Sequence, residues 1–273
     1  MNTDIKLIVT DIDGTLVKDS SPQIYDEMIE IIQKLTDEGI RFALASGRQY
    51  GSIRRMFERV NRKLYYLAEN GAHILEGDKT LAVTPMKREY VEEIMADLRS
   101  LYPLDCHVTA STTKGCLLES RSEDFIRLIA EGYRNDVTMT DDILKHDVEM
   151  IKLAVYKKNT IREIGESSLI PKWQERVKTC MAGEEWVDFM DKTVDKGNAL
   201  RKLQQTLGIK KEETMAFGDN DNDLGLMLSA GESYAVDNAV QMVKDAAKYT
   251  CPDYHKKGVY QVLDKLYREI KGI

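Results

Sequence analysis

The chain has 273 residues, 42% of them hydrophobic and 31% charged, a balance that is ordinary for a globular protein with a sizeable buried core. Its formal net charge of −7 argues against a surface that binds nucleic acid. No apolar run has the length of a membrane span, the first residues lack the pattern of a signal peptide, and the four cysteines lack metal-ligand spacing. We therefore expect a cytoplasmic protein with reduced thiols that binds neither nucleic acid nor membrane.

The N-terminal third alternates short apolar strands with amphipathic helices. The pattern predicts strands over 5–10, 41–45 and 64–68, separated by helices over 24–38 and 49–60. This βαβαβ order is typical of a parallel sheet with right-handed crossovers. The sequence therefore predicts an α/β fold whose core is a doubly wound, Rossmann-like parallel sheet.

The rhythm changes between about residue 81 and residue 190, where paired strands replace single ones. Helices are predicted over 88–101, 122–133 and 160–167, and strands over 105–110, 115–119, 150–156, 176–182 and 185–190. The last two strands have Gly183-Glu184 between them, which is typical of a hairpin turn. These pairs indicate an antiparallel sheet covered by helices, so this stretch is predicted to be an inserted α+β domain.

The parallel rhythm returns in the last third of the chain. Helices are predicted over 196–207, 221–229 and 258–271, and strands over 214–217 and 233–236. Because strands and helices alternate in the same way at both ends of the chain, we predict that 1–83 and 190–273 form a catalytic core and that 84–189 form a cap. The crossings near 80–86 and 188–194 are then the predicted hinges.

Two carboxylates follow the first strand, in the segment Asp11-Ile12-Asp13-Gly14-Thr15. Side chains alternate along an extended chain, so Asp11 and Asp13 project to one side, at the edge where open α/β sheets place their ligands. Such a pair suits phosphoryl transfer, since one carboxylate can attack phosphorus while the other moves a proton and both help to hold a divalent cation. By itself the segment is also an ordinary turn, because Asp and Gly are common at strand ends.

Three further segments place polar residues after predicted strands or before a predicted helix. Ser46-Gly47 ends the strand over 41–45, Lys196 begins the helix over 196–207, and Asp219-Asn220-Asp221-Asn222-Asp223 follows the strand over 214–217. Each has a structural alternative: Ser46-Gly47 and the Asp219–Asp223 segment are also typical helix caps, and most lysines are solvated surface groups.

In order and spacing these four segments resemble the four motifs of the haloacid dehalogenase-like phosphohydrolases, in particular the Cof-type branch with a large cap of type IIB. The resemblance extends to Glu69-Asn70-Gly71-Ala72, Asp237-Asn238-Ala239 and Lys257-Gly258-Val259, and it covers nearly the whole chain. The chain departs from the commoner pattern at Asp237, where a glycine often stands, and around Asp191 and Thr193, where Pro and Gly are frequent.

The resemblance implies a role for each motif residue. Asp11 is the expected nucleophile, Asp13 the general acid and base, and Lys196 the cation that spreads positive charge over the phosphoryl group. A Mg²⁺ ion is expected on Asp11, Asp13 and Asp219, with Asp13 contributing its backbone carbonyl. The expected phosphate-binding residues are Ser46, Gly47, Asn222, Gly14 and Asn70, and those that support them from behind are Asp223 and Thr15; Asn238 is a further candidate for the same crevice.

Five residues of the predicted cap are candidates for contact with the substrate. They are Asp188, where the family often has an acidic residue, and Trp186, Thr112, Thr113 and Lys114. The alternative for Trp186 is packing within the hairpin, which is the more frequent role of an aromatic residue on paired strands.

The residues and the resemblance together predict a Mg²⁺-dependent phosphatase that hydrolyses a small phosphorylated metabolite, with a sugar phosphate as the first expectation, through an aspartyl-phosphate. One alternative is a phosphosugar mutase or phosphotransferase, which passes the phosphoryl group to a sugar hydroxyl instead of water. Another is a non-catalytic protein that binds phosphometabolites on the same scaffold. We expect a monomer or a weak homo-oligomer.

Overall fold

The computed structural model describes residues 3–18 and 21–273. Met1 and Asn2, part of the N-terminal segment that lacks signal-peptide features, lie outside the described residues. The chain divides into two compact units. The first contains the residues up to Arg48, Ile53–Leu81 and Asp195–Ile273, and the second contains Gln49–Ser52 and Ala82–Val194. The domain boundaries predicted from the sequence, and the role of the middle segment as a cap, stay predictions.

The strands, in chain order, are β1 Leu7–Thr10, β2 Arg41–Ala45, β3 Tyr65–Ala68, β4 His73–Glu76, β5 Lys79–Val83, β6 Cys106–Thr112, β7 Gly115–Leu118, β8 Val137–Met139, β9 Met150–Lys157, β10 Lys178–Ala182, β11 Trp186–Met190, β12 Thr214–Gly218, β13 Glu232–Val236 and β14 Tyr249–Cys251. The α-helices are α1 Asp26–Asp37, α2 Tyr50–Met56, α3 Arg88–Arg99, α4 Glu123–Arg127, α5 Arg162–Ile164, α6 Ile170–Trp173, α7 Lys196–Leu207, α8 Leu224–Ser229, α9 Gln241–Ala246 and α10 Gly258–Lys271. Among the described residues, every helix is too short or too polar to cross a membrane.

An eight-stranded sheet in the order β14-β13-β12-β1-β2-β3-β4-β5 organises the first unit. Its central strand β1 runs parallel to β12 and to β2, with Leu7 opposite Thr214 on one side and Arg41 on the other. All four residues of β1 are buried, as expected for a parallel strand covered on both faces. This sheet confirms the predicted α/β fold class and its Rossmann-like core.

The sheet also contains strands that the periodicity did not indicate. β4 pairs with β3 in the antiparallel direction, with Tyr65 opposite Glu76. β14, three residues long, extends the other edge beside β13. β14 is too short to show a clear alternation of apolar and polar residues, and the sequence pattern did not distinguish β4 from the loop that follows β3.

A second sheet, in the order β10-β11-β9-β6-β7-β8, organises the second unit. Its pairs are antiparallel except that β8 lies parallel to β7, with Cys116 opposite Val137. The predicted antiparallel sheet therefore has one parallel pair, at the edge formed by β8, a strand that was not predicted. The reason is the segment between β7 and β8, which contains α4 and is long enough for the crossover that a parallel pair needs.

Three predicted helices are shorter or more irregular than the pattern suggested. The helix expected over 122–133 is α4 followed by a wide π-type turn at Leu128–Gly132. The helix expected over 160–167 is α5, a π-type turn at Gly165–Leu169, and then α6, whose second residue is Pro171. Proline cannot donate a backbone hydrogen bond, so its place at the start of a new helical turn is favourable. The helix expected over 49–60 ends at Met56.

Candidate functional site

The site residues of the first unit follow the carboxyl ends of parallel strands. Asp11 comes directly after β1 and Asp219 directly after β12, two strands that are neighbours in the sheet. The backbone N–H of Asp11 donates to the Phe217 carbonyl at 3.0 Å, which extends the pairing one residue beyond β1. The two carboxylates therefore start from the same edge of the sheet, as the sequence predicted.

Lys196 joins two of the carboxylates. Its Nζ donates to Asp11 Oδ1 and to Asp223 Oδ1, both at 2.6 Å. Only 1% of Lys196 is exposed, so this ammonium is a buried cation and not a surface group. It lies at the first residue of α7, where the Asp195 side chain caps the helix by accepting from the Asn198 N–H at 2.9 Å.

Glycine makes this burial possible. A Cβ added to Gly197 would lie 2.5 Å from the backbone of Gly225 in α8, so a side chain there would push α7 away from α8. The close approach brings the start of α7 beside the segment that ends in Asp223. Lys196 therefore meets Asp223 because two glycines allow the two backbones to touch.

Asp223 is held on both of its oxygens. Oδ1 accepts from Lys196, and Oδ2 accepts from the backbone N–H groups of Asp219 and Asn220 at 2.9 and 3.1 Å. Asp223 is completely buried. A carboxylate with this many donors is fixed in orientation, so its place is that of a residue that orients Lys196 and the Asp219 loop.

The Asp219 side chain packs against the first loop. Oδ1 accepts from the Thr15 hydroxyl at 2.8 Å. A Cβ added to Gly14 would lie 2.3 Å from Asp219 Oδ2, and Gly14 has a φ of +80°, so only glycine fits here. The Asn238 amide donates to the Gly14 carbonyl at 2.8 Å, which places Asn238 behind the loop as a support.

Charges in this cluster do not balance. Asp11, Asp219 and Asp223 each offer an oxygen within 4.8 Å of the others, and Lys196 is the cation bound to Asp11 and Asp223. Burial, together with the charge of Asp223, raises the pKa of Asp11 well above its ordinary value and raises the pKa of Asp219 to about 6. Burial lowers the pKa of Lys196, but the carboxylates of Asp11 and Asp223 outweigh it and raise that pKa, so the lysine is charged.

These residues fit a divalent cation. When all three carboxylates are ionised, the cluster with its one ammonium has two negative charges in excess, which is the charge that one Mg²⁺ ion compensates. Asp11 Oδ2 is buried and has no hydrogen-bond partner, an arrangement that costs free energy unless a ligand completes it. Because both oxygens of Asp223 are engaged, Asp11 and Asp219 are the carboxylates available to a metal.

Asp13 forms a bidentate ion pair with an arginine. Its two carboxylate oxygens accept from Arg48, from Nε at 2.7 Å and from Nη2 at 2.5 Å. Arg48 was not among the site residues predicted from the sequence. An arginine two residues after Ser46 at a strand end was the available signal, since guanidinium groups bind carboxylates and phosphates in this bidentate manner.

The predicted phosphate-binding residues lie together. The N–H of Asn70 donates to the Ser46 carbonyl at 2.9 Å, and the Asn222 amide donates to Asn70 Oδ1 at 3.0 Å. A Cβ on Gly47 would lie 3.4 Å from the same Asn70 amide. Ser46 Oγ accepts from the Arg48 N–H at 3.1 Å, so it also closes the turn that precedes α2.

The loop after β3 that carries Asn70 has an unusual backbone. Glu69, Asn70 and Gly71 have φ values of +50°, +56° and +93°. Left-handed conformations in succession cost free energy for residues other than glycine, so the surrounding structure must hold them. It does so in part through the N–H of Glu69, which donates to the Arg48 carbonyl at 3.0 Å.

Of the candidates in the second unit, two take structural roles. Trp186 belongs to an aromatic cluster, with its ring centroid 4.9 Å from that of Tyr156, and its Nε1–H donates to the Tyr133 hydroxyl at 3.2 Å. Thr112 closes the turn between β6 and β7, since its hydroxyl donates to the Gly115 carbonyl at 3.0 Å. The hairpin-packing alternative therefore describes the position of Trp186.

The remaining candidates divide between a buried ion pair and the β6–β7 turn. Asp188 is buried in β11, with Oδ2 3.5 Å from the Lys152 ammonium of β9. Thr113 and Lys114 lie in the turn between β6 and β7, and the Lys114 N–H donates to the Thr112 hydroxyl at 3.1 Å. Contact of any of these residues with a substrate stays a prediction.

Comparison with known proteins identifies the class to which this fold and site belong. The family model described as haloacid dehalogenase-like hydrolase matches residues 8–263. The chain therefore belongs to the haloacid dehalogenase-like hydrolases, which confirms the family inferred from the four motifs.

Several relatives have names that state an activity, and two of them represent the activities named. One is the 5-amino-6-(5-phospho-D-ribitylamino)uracil phosphatase YbjI of Escherichia coli, 26% identical with 97% of each chain covered. The other is phosphoglycolate phosphatase 1 of Saccharolobus solfataricus, 29% identical with 98% of this chain and 99% of the relative covered. A crystal structure from Eubacterium rectale has a TM-score of 0.85 and 36% identity over 96% of this chain and 99% of its own. The chain is thus an enzyme of a hydrolase family whose named relatives are phosphatases.

Proposed function

We propose that this protein is a Mg²⁺-dependent phosphatase that hydrolyses small phosphorylated metabolites, with sugar phosphates as the first class to test, through an aspartyl-phosphate on Asp11. The observation that carries the proposal is the buried cluster of three carboxylates around Lys196. It has two excess negative charges and an unpartnered oxygen on Asp11. Such a cluster is costly for a purely structural role and is suited to binding a cation and an anionic ester.

In the proposed first step, a carboxylate oxygen of Asp11 forms a bond to phosphorus, and the bond between phosphorus and the ester oxygen breaks. The leaving alkoxide takes a proton from Asp13. In the second step, water attacks phosphorus, its proton passes to Asp13, and the bond between Asp11 and phosphorus breaks. Inorganic phosphate and the intact Asp11 carboxylate result, so the cycle is balanced.

Other residues act on the phosphoryl group without forming bonds to it. Lys196 supplies a fixed positive charge 2.6 Å from Asp11 Oδ1, where the charge of the transferred group develops. Ser46, Gly47, Asn70 and Asn222 offer hydroxyl, amide and backbone N–H donors at the neighbouring strand ends. Asp11, Asp219 and the Asp13 carbonyl are the proposed ligands of Mg²⁺, which when bound neutralises the carboxylates and polarises the phosphoryl oxygens.

The segment 84–189 is proposed as the cap that selects the substrate, on a core formed by 1–83 and 190–273. The named relatives act on a phosphorylated ribitylamino-uracil and on phosphoglycolate, both small phosphate monoesters. We propose the same broad class for this chain, in a cytoplasmic protein that acts as a monomer or weak oligomer.

The test is release of phosphate from a panel of sugar phosphates, phosphoglycolate, nucleotides and p-nitrophenyl phosphate, measured with Mg²⁺ and with EDTA. We expect metal-dependent release from at least one member of the panel. Formation of an isomeric sugar phosphate with little free phosphate would replace hydrolysis by the mutase alternative. Binding of an ester without any turnover would identify a non-catalytic phosphometabolite-binding protein.

A further inference from the structure

Arg48 and Asp13 form a bidentate ion pair beside the proposed site, here called the fork. The proposed chemistry assigns Arg48 no role. Both oxygens of Asp13 accept from one guanidinium, and Arg48 Nη2 also donates to the Ser21 carbonyl at 2.8 Å. The side chains are 13% and 28% exposed for Arg48 and Asp13. The pair is therefore well shielded from water, in contrast to an ordinary surface ion pair.

The backbone of Arg48 is fixed as well. Its N–H donates to Ser46 Oγ at 3.1 Å, and its carbonyl accepts from the Glu69 N–H at 3.0 Å. Arg48 thus lies at a junction between the loop after β2, the loop after β3 and, through its side chain, the loop after β1. Its guanidinium starts from an ordered backbone, which reduces the entropy lost when it holds a carboxylate.

The fork also bears on the proton transfer expected of Asp13. Each carboxylate oxygen has two lone pairs, and the guanidinium occupies one on each oxygen. A proton can therefore be carried at a second lone pair while the fork holds the plane of the carboxylate, so Arg48 sets the directions in which Asp13 can donate.

We propose that Arg48 is a positioning residue for Asp13: the fork keeps the carboxylate in one orientation beside the site, from which it donates to the leaving group. The inference rests on the proposed phosphatase function. A carboxylate released from the fork samples orientations toward water, and each unproductive orientation lowers the effective concentration of the acid.

The competing role for Arg48 is direct binding of the phosphate group. The two roles differ in their dependence on the leaving group. A positioning residue for the acid matters most when the leaving group is a poor one, because such a group requires protonation as it departs. A phosphate-binding residue matters equally for good and poor leaving groups, since the phosphate is the same.

The experiment compares p-nitrophenyl phosphate with phenyl phosphate, which share the phosphate group and the aryl ring and have leaving groups of different basicity. Single-turnover rates of phenol release are measured with Mg²⁺ for the wild type, Arg48→Lys, Asp13→Asn and the double variant. Arg62→Lys is the matched control, because Arg62 makes the same bidentate contact with Asp37 on the surface of the same unit, at 2.5 and 2.9 Å.

We expect Arg48→Lys to lower the rate about tenfold for phenyl phosphate and less than about threefold for p-nitrophenyl phosphate, with half-saturating concentrations within about twofold. In the Asp13→Asn background the same change should have no further effect on either ester, since the residue on which Arg48 acts is already disabled. Arg62→Lys should match the wild type.

Equal losses for the two esters, or an Arg48→Lys effect that persists in the Asp13→Asn background, would overturn the positioning role. A rise in half-saturating concentration for both esters would do the same and would assign Arg48 to the phosphate. A wild type that cleaves neither ester nor any member of the panel would overturn the proposed function, and this inference with it. The double variant separates these failures, because it is informative only when the wild type turns over.

Discussion

Each unit contains a cluster of acidic side chains, and the two clusters have opposite electrostatics. In the second unit, Arg99 donates to both oxygens of Glu119 and to Asp142, and this guanidinium lowers the pKa of Asp142. In the first unit, Asp11 and Asp223 share the Lys196 ammonium, Asp219 lies beside them, and burial raises the pKa of Asp11 and of Asp219.

The contrast separates a cluster whose carboxylates are paired from the one that we propose as the site of the reaction. Around Arg99 each acidic group gains a partner, and the Ile143 N–H also donates to Glu119 at 2.9 Å. Around Lys196 one oxygen of Asp11 remains buried without a partner. Such an arrangement costs free energy unless a ligand completes it, so the unpartnered oxygen of Asp11 supports the proposed site.

Loss of the nucleophile should have the largest effect. Asp11→Asn keeps the volume of the side chain but removes the attacking carboxylate, so we expect turnover to fall by about 10³-fold or more. The melting temperature should stay at or above that of the wild type, because one buried charge in excess has been removed. Steady-state phosphate release and thermal denaturation in EDTA measure the two effects; a marked fall in melting temperature would refute the charge excess.

Loss of the Lys196 ammonium should instead destabilise the same cluster. Lys196→Met leaves Asp11 and Asp223 buried without their shared partner, at an expected cost of about 3–5 kcal/mol in the free energy of unfolding, together with loss of turnover. Lys202→Met, on the exposed face of the same helix, is the control and should change neither. Urea denaturation of the three proteins provides the measurement, and equal stability of all three would contradict the geometry around Lys196.

The balanced cluster should respond in the opposite sense. Glu119→Gln turns an amide toward the Arg99 guanidinium in a side chain that is only 12% exposed, so stability should fall by about 1–3 kcal/mol. Turnover at saturating substrate should stay within about twofold of the wild type, as Glu119 takes no part in the proposed chemistry. A large loss of turnover in a folded Glu119→Gln protein would end the distinction between the two clusters.

The smallest expected effect concerns pH and the metal. The pKa of Asp219 in the metal-free protein is raised to about 6, so this carboxyl is ionised above that pH and protonated below it. Saturating Mg²⁺ at 100 times its Kd stabilises a site by about 2.7 kcal/mol, and protons compete for Asp219 as the pH falls through about 6. The rise in melting temperature on adding Mg²⁺ should therefore shrink from pH 7.5 to pH 5.

In EDTA, where no Mg²⁺ is bound, the stability contributed by Asp219 should instead fall as the pH rises. A carboxyl group whose pKa is raised by folding contributes stability below its folded pKa and loses that contribution as the pH rises through it. The difference in melting temperature between the wild type and Asp219→Asn should follow this trend between pH 5 and pH 7.5. A Mg²⁺ effect of the same size at both pH values, or one retained in Asp219→Asn, would remove Asp219 from the metal site.

Much of the site was predictable because parallel strands bring their carboxyl ends to one edge. Asp11, Ser46 and Asp219 each follow a predicted strand, and their meeting requires only that the strands be neighbours. The hydrogen bond from Lys196 to Asp223 was also predictable, because the resemblance assigned both residues to one site. The fold class follows from the same periodicity.

Other features depend on information that periodicity does not contain. The fork of Arg48 on Asp13 joins side chains 35 residues apart, and its formation depends on rotamers and on the shape of two loops. The parallel pairing of β8 depends on the path of the crossover that precedes it. The buried position of Lys196 depends on the contact between Gly197 and Gly225, which no local pattern reveals.

The most direct test of the proposed mechanism is to trap the phosphoryl group on Asp11. The wild type and Asp11→Asn are mixed with p-nitrophenyl phosphate and Mg²⁺, quenched in acid within one turnover, and examined by peptide mass spectrometry. The proposed mechanism predicts one phosphoryl group on Asp11 in the wild type and none in the variant. Rapid release of phosphate by the wild type with no phosphoryl group on Asp11 at any quench time, or continued release by Asp11→Asn, would contradict it.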